Sequence, residues 1–116
     1  MSVLVPTEGD KAVPPVGRLL LTQENLILEA DAEFCRLFGF MPHALAGVRF
    51  ESILTRASQI LYQLHFSPSL RLNGKTERVR FALKSGRAEA VQIVVSASLL
   101  LKGDAVHYEF LVSPER

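Results

Sequence analysis

The second half of the chain alternates between apolar and polar residues, and this pattern constrains the fold more than any other feature. From residue 76 to residue 112 the alternation has a period of two, which is the period of side chains along a β-strand. Two turn signals, Ser85-Gly86 and Lys102-Gly103-Asp104, interrupt it. The sequence therefore predicts three consecutive antiparallel strands, over residues 76–84, 87–101 and 105–112. The side chains expected on one shared face are Val79, Phe81, Leu83, Val91, Ile93, Val95, Ala97, Leu99, Val106, Tyr108, Phe110 and Val112.

A β-hairpin is predicted near the start of the domain. Two short apolar runs, at residues 18–22 and 26–29, are separated by the polar break Gln23-Glu24-Asn25. Alternation places Leu20 and Ile27 on the face opposite to Leu19 and Leu21. Because neither face of this hairpin is polar, we expect both faces of the sheet to be covered.

The segment after the hairpin has the residues that typically begin and end a short helix. Asp31 stands at the N-cap position, where its carboxylate can accept a backbone N–H bond worth about 1 kcal/mol. Phe34, Leu37 and Phe38 follow at spacings of three and four and form one apolar stripe. Gly39 is suited to end the helix in a left-handed conformation.

Further helical segments are predicted before the strands resume. A short helix at residues 42–46 begins at Pro42 and ends at Gly47, and another short turn presents Phe50, Ile53 and Leu54. The longest helix is predicted over residues 55–66, with Pro68 ending it and a loop over residues 69–75. Its core-facing stripe is expected to be Ala57, Ile60, Leu61 and Leu64.

The resulting fold class is α+β, in the order ββαααβββ. Two initial strands and three final strands make one five-stranded antiparallel sheet, with short helices crossing one face. The domain is expected to span residues 18–113. Residues 1–17 hold three of the six prolines and are interpreted as an N-terminal arm or linker, with Val3–Val5 available to dock on a neighbour.

The composition excludes several functional classes. The chain has 116 residues and a formal net charge of +1, without the clustered basic face that nucleic-acid binding needs. Its single cysteine, Cys35, allows no intrachain disulfide and fits a reducing cytosol, so we expect a cytoplasmic protein. No apolar run approaches the roughly 20 residues that span a bilayer, and the N-terminus is a poor signal peptide.

The residues at the helix ends and turns resemble those of the PAS family of sensory domains. The matching residues are Ala30, Asp31, Phe34, Leu37-Phe38-Gly39-Phe40, Leu45 and Gly47, with Asp31 in place of the family's usual asparagine. A second set resembles PAS modules of bacterial stress-response serine phosphatases, histidine kinases and diguanylate cyclases: Tyr62, His65, Pro68, Leu70, Gly74, Glu77, Leu83 and Gly86. The resemblance implies a cytosolic, bacterial sensor that dimerises and biases a C-terminal output domain of a longer protein.

Candidate pocket residues follow from the apolar helix faces and the resemblance. They line either a cofactor or ligand pocket or a filled core: Phe34, Phe38, Phe50, Leu54, Leu61, His65, Phe81, Ile93 and Tyr108. The resemblance implies a haem ligand at the position of His65, and a flavin-adduct or redox thiol is the functional interpretation of Cys35. A structural thiol is favoured for Cys35, because free cysteine mostly behaves as a small hydrophobic residue. No cofactor is the favoured expectation, with haem or flavin as alternatives.

The second sheet face suggests a protein interface. It is apolar where a solvated sheet would be polar, and exposed apolar patches usually mark contact sites. We expect a homodimer, with the arm across this face, formed through Leu20, Ile27, Val94, Leu100 and Leu111.

Enzymatic chemistry has little support in the sequence. No serine has the flanking glycines of a nucleophile elbow, no phosphate-binding glycine loop is present, and no Cys/His spacing indicates zinc. The sequence therefore predicts a sensory and dimerisation module that transmits ligand or partner binding to an output domain. A ligand-free protein-interaction module and a haem or flavin redox sensor are the alternatives.

Overall fold

The computed structural model describes residues 15–115 and contains one five-stranded antiparallel sheet. The strands are β1 (Gly17–Thr22), β2 (Ile27–Ala30), β3 (Lys75–Lys84), β4 (Ala90–Lys102) and β5 (Ala105–Pro114), arranged in the order β2-β1-β5-β4-β3. The predicted α+β class and the pairing of two initial with three final strands are confirmed. Residues 1–14 of the predicted arm (residues 1–17) lie outside the described residues. Its last residue, Gly17, already belongs to β1.

The helices cross one face of this sheet between β2 and β3. They are α1 (Ala32–Phe38), a 3₁₀ turn (Phe50–Ile53), α2 (Arg56–Leu61), a π-helical turn (Tyr62–Phe66) and α3 (Ser67–Asn73). The core lies between them and the sheet, and we call the opposite face of the sheet its outer face. The helix predicted at residues 42–46 is wrong, because residues 42–47 form hydrogen-bonded turns.

Both ends of α1 are fixed by the residues that the sequence singled out. Asp31 Oδ1 accepts the backbone N–H of Phe34 at 2.8 Å and also that of Arg18 at 3.0 Å, so the cap ties the helix to β1. Gly39 ends the helix at φ +76°. The guanidinium of Arg87 donates to the carbonyl of Arg36 at 3.2 Å, which satisfies an acceptor that the last turn leaves free.

The long helix differs from its prediction in length and in orientation. Pro68 does not end the helix, because it lies in the first turn of α3, where its missing N–H leaves no helical hydrogen bond unmade. The π-helical turn directly precedes α3. The loop predicted at residues 69–75 is therefore helical as far as Asn73, and Gly74 ends it at φ +80°.

The buried stripe of this helix repeats every fourth residue and consists of Ser58, Tyr62, Phe66 and Leu70. In an α-helix each step of four residues drifts by about 40°, and the wider π turn corrects that drift. The predicted stripe is wrong, because Ile60, Leu61 and Leu64 are exposed.

Two bulges change which side chains face the core. Between β1 and β2, Leu20 pairs with Glu29 while Leu21 pairs with Ile27, so Leu28 is the extra residue. Ile27 consequently shares a face with Leu21 and is fully buried in the core. Its predicted place on the outer face is wrong for this reason.

The second bulge lies in β3. The pairing shifts between Thr76 and Val79, where Arg78 has φ +52° and its N–H donates to Ser96 Oγ at 3.0 Å. Beyond it, Phe81 and Leu83 face the core as the alternation predicts. Leu99, predicted on the same face, is instead largely exposed near the end of the β4–β5 hairpin.

Candidate functional site

Aromatic side chains occupy the interior between the helices and the sheet. Phe50, Tyr62, Phe66, Phe81 and Phe110 form one group in which neighbouring ring centroids lie 4.9–5.9 Å apart. These are the distances of direct aromatic contact, each worth about 0.5–1.5 kcal/mol beyond area burial. The space beneath the helices is therefore taken by the chain's own rings.

Most of the predicted pocket residues belong to this filled core. Those buried within it are Phe34, Phe38, Phe50, Leu54, Phe81, Ile93 and Tyr108. Leu61 and His65 are instead exposed, because the buried stripe of the helix runs through Tyr62 and Phe66. The structure thus does not bring the nine candidates together around one cavity.

Tyr62, Phe66 and Asn25 are interior residues that the pocket prediction missed. The Tyr62 hydroxyl donates to Asn25 Oδ1 at 2.6 Å, and both residues are buried. Burial raises the pKa of Tyr62 well above its ordinary value, Glu51 raises it further, and Arg71 opposes the shift. The repeat of four through positions 58, 62, 66 and 70 is the sequence signal that would have identified the two aromatic residues.

Haem and flavin do not fit the residues present. An internal cofactor would have to displace the aromatic group, and His65 is exposed at the surface of the domain. Cys35 is buried in α1, where burial and then the charge of Asp31 raise the pKa of its thiol. A raised pKa lowers the thiolate fraction, which suits a structural thiol rather than a reactive one.

Leu61 and His65 border an open groove of about 320 Å³ beside the edge strand β3. We call it the lateral groove, and its walls are Leu61, His65, Phe66, Ser69, Thr76, Glu77 and Val79. Thr76 Oγ1 is buried there without a hydrogen-bond partner among the described residues. The groove combines an apolar floor with polar groups, which is the usual composition of a small-molecule site.

The outer face of the sheet contains a short apolar diagonal. The pairing registers place Leu20 beside Glu109, Leu111 beside Ser96 and Val94 beside Ser113, so the three leucine and valine side chains occupy diagonally adjacent positions on β1, β5 and β4. Leu100 lies apart, opposite His107. Leu20 and Val94 retain only 5% and 8% exposure within one copy of the chain, whereas Leu111 retains 42%.

Within residues 15–115, no group of three or more His, Cys, Asp or Glu side chains is placed to hold a metal ion. Among the helices in the same range, none has the length and apolar character required to cross a bilayer.

The architecture matches solved structures over almost its whole length. A PAS domain from a two-component sensor histidine kinase aligns with a TM-score of 0.73, covering 99% of this chain and 100% of that chain at 13% identity. The PAS-B domain of Drosophila melanogaster Cycle, with bound ethylene glycol, aligns with a TM-score of 0.74 over 85% of this chain and 99% of its own, at 11% identity. The chain has the PAS fold.

A curated protein is also similar to this chain in sequence. The phosphoserine phosphatase RsbP of Bacillus subtilis strain 168 is 26% identical over 102 residues, which cover 88% of this chain. The match extends over 25% of RsbP, so this chain spans about a quarter of the length of that relative. No family model matches the chain.

Proposed function

We propose that this PAS domain is the cytoplasmic sensory and dimerisation module of a bacterial signal-transduction protein, and that it acts through protein contacts without an internal cofactor. The observation that carries the proposal is the aromatic group of Phe50, Tyr62, Phe66, Phe81 and Phe110, which fills the interior. The likeness to one quarter of RsbP, a phosphatase, supports a regulatory part beside an output domain in a longer protein.

The mechanism is a shift between conformational populations. A ligand or partner that binds one arrangement of helices and sheet more tightly favours that arrangement, by no more than its difference in affinity. In a symmetric dimer the same patch is used by both copies, so a change at the interface alters how the two C-termini are presented. The filled core makes the surface of the domain the place where such contacts occur.

The dimer contact in this proposal is the outer face of the sheet around Leu111. Leu20 and Val94 are already covered within one copy, so they support the surface rather than meet a partner directly. Leu111 is the member of the diagonal that a second copy can cover. Ile27 has no part in the contact, because it lies in the core.

Light scattering after size-exclusion chromatography tests the contact with the variant Leu111→Glu. A charge at the centre of an apolar contact should raise the concentration needed for dimerisation by about tenfold or more. The matched control is Leu72→Glu, because Leu72 is 84% exposed on the helical side of the domain. A wild-type monomer at a concentration of about 1 mM, or equal dimerisation of the two variants, would show that this face is not the interface.

A second candidate function is small-molecule sensing at the lateral groove. It is favoured by the buried hydroxyl of Thr76, which has no hydrogen-bond partner within residues 15–115, and by the adjoining π-helical turn, a feature frequent at functional sites. Native mass spectrometry of the freshly purified domain would reveal a retained molecule. A visible absorption band in the same sample would instead support the haem or flavin alternative, which the filled interior opposes.

A further inference from the structure

A polar groove of about 360 Å³ lies at the end of the domain formed by the β1–β2 loop, the 3₁₀ turn and the start of α3. We call it the end groove. Its charged side chains are Glu24, Arg49, Glu51 and Arg71, two of each sign. None of the four forms an ion pair within 4 Å with another residue in the range 15–115. The groove therefore presents two cations and two anions that the described chain does not neutralise by direct pairing.

Asn25 supplies a neutral donor to the same groove. It is only 5% exposed, yet it lines the end groove, and it holds a left-handed backbone conformation at φ +68°. Its Oδ1 accepts the Tyr62 hydroxyl at 2.6 Å, and its backbone carbonyl accepts the N–H of Phe50 at 3.0 Å. The two side-chain N–H groups of Asn25 have no partner among the described residues. The Asn25 side-chain nitrogen is not one of the buried atoms that lack a partner, so these donors are open to the groove and are available to a ligand oxygen.

The loop that carries these groups is held in one conformation. Thr22 Oγ1 accepts the N–H groups of Glu24 and Leu26, each at 3.2 Å, and the N–H of Asn25 donates to the Thr22 carbonyl at 2.9 Å. Across the groove, Gln63 Nε2 donates to Glu51 Oε2 at 3.0 Å and fixes that carboxylate. The backbone of Asn25 and the carboxylate of Glu51 are thus positioned before a ligand arrives, which reduces the entropy lost on binding.

We propose that the end groove binds a small zwitterion of the free α-amino acid class. The carboxylate of such a ligand is recognised by Arg49 and Arg71 with the Asn25 amide, because guanidinium groups bind carboxylates through paired hydrogen bonds. The ammonium group is recognised by Glu24 and Glu51. A ligand with only one charge would interact with only one of the two pairs, so simple anions and simple amines should bind more weakly than a zwitterion.

Room for the ligand's side chain exists next to the charged groups. An adjoining groove of about 410 Å³ shares Glu24 and Arg71 with the end groove and is bordered by Gln23 and Tyr108. Its polar walls favour an amino acid with a polar side chain over an aliphatic one. The four charged side chains are exposed or half-exposed, so the affinity is modest, with a dissociation constant on the order of 1 mM.

The end groove also communicates with the core. The Tyr62 hydroxyl bonds to Asn25 at the groove wall, while the Tyr62 ring stacks on Phe66 inside the aromatic group. A ligand oxygen on the Asn25 amide therefore acts on a residue that anchors the helix to the β1–β2 loop. The site does not depend on dimerisation, so its test and the test of Leu111 have separate outcomes.

The test is a titration of the ¹⁵N-labelled domain, followed by NMR. Glycine is the minimal zwitterion, glutamine adds a polar side chain, and acetate and methylammonium each carry one of the two charges. We expect saturable shifts of the Asn25 side-chain amide and of the backbone amides of Glu51 and Arg71 with glycine, tighter binding of glutamine, and at least fivefold weaker binding of the two single-charge probes. No saturable shift with either amino acid up to about 10 mM, or equal binding of acetate, would overturn the proposal.

A pair of arginine variants localises the site. Arg71→Gln removes a guanidinium from the groove and should weaken glutamine binding about fivefold. Arg56→Gln removes the same group from an exposed position of α2 that does not border the groove, and should leave binding unchanged. Equal affinities for the two variants would show that the charged groove is not the site.

Discussion

Replacement of Tyr62 by phenylalanine isolates one buried polar contact at the centre of the fold. The change keeps the ring against Phe50, Phe66 and Phe81 and removes only the hydroxyl. The 2.6 Å bond to Asn25 Oδ1 is lost, and a buried acceptor is left without its donor. A net hydrogen bond is worth about 1 kcal/mol, and an unpaired buried group costs about 1–3 kcal/mol. We therefore expect Tyr62→Phe to lower the free energy of unfolding by about 1–3 kcal/mol, measured by urea denaturation at neutral pH.

The same variant has an expected signature at alkaline pH. Burial is the main cause that raises the pKa of Tyr62 above its ordinary value of 10.0. Above that value the unfolded chain releases the Tyr62 proton while the folded chain keeps it, so the stability that this residue contributes is complete below pH 10 and declines as the pH rises. The decline is about 1.4 kcal/mol per pH unit for one such group. Wild type should therefore lose stability more steeply than Tyr62→Phe above pH 10.

Tyr108→Phe is the matched control, because Tyr108 is the other tyrosine of the chain and its hydroxyl makes no hydrogen bond with another described residue. Its free energy of unfolding should change by less than about 0.5 kcal/mol. Equal losses for the two tyrosine variants, or parallel alkaline profiles for wild type and Tyr62→Phe, would refute the role assigned to the Asn25 contact.

Two further predictions concern the ends of α1. Asp31→Ala should lower the free energy of unfolding by about 1–2 kcal/mol, because Oδ1 accepts the backbone N–H groups of both Phe34 and Arg18. Asp31→Asn keeps an acceptor oxygen and should cost less than about 0.5 kcal/mol. Equal losses for the two variants in thermal denaturation would contradict this role of the cap. A Cβ at Gly86 would lie 1.9 Å from the Gly39 carbonyl oxygen, so Gly86→Ala should lower the free energy of unfolding by about 2 kcal/mol or more. A Cβ at Gly103 would meet no atom within 4 Å, so Gly103→Ala should cost only about 1 kcal/mol, from its φ of +63°. The measurement is the order of the two denaturation midpoints, with Gly86→Ala expected to be the lower.

Local signals in the sequence predicted much of the fold. The Asp31 cap and the Gly39 stop needed only the neighbouring residues, and the structure confirms both. The alternation of β4 and β5 placed Ile93, Val95 and Phe110 in the core, because strands on tight turns have little freedom in register. Elements with strong local punctuation were therefore predictable.

Predictions failed where partners distant in sequence decide the geometry. The bulge at Leu28 reverses the face of Ile27, whose backbone also bonds to Val48 and Gly47, residues about 20 positions further along the chain. The π-helical turn offsets the drift of a four-residue repeat, so the stripe from Ser58 to Leu70 stays on one face. A uniform α-helix would not keep such a repeat on one face over this length, so a helical period of 3.6 predicted a different stripe. His65 is exposed rather than in the predicted pocket, because the buried stripe of the helix runs through Tyr62 and Phe66.

The sequence by itself determined the order of elements, the helix ends and the sheet's apolar face, because these depend on backbone conformational preference and on side-chain period. Only the tertiary structure decided whether the apolar residues enclose a cavity. That outcome depends on how rings such as Phe50, Phe66 and Phe110, supplied by separate elements, pack against one another. The tertiary structure also brings Asn25, Arg49 and Arg71 to one groove, because the β1–β2 loop, the 3₁₀ turn and α3 meet only in the folded chain.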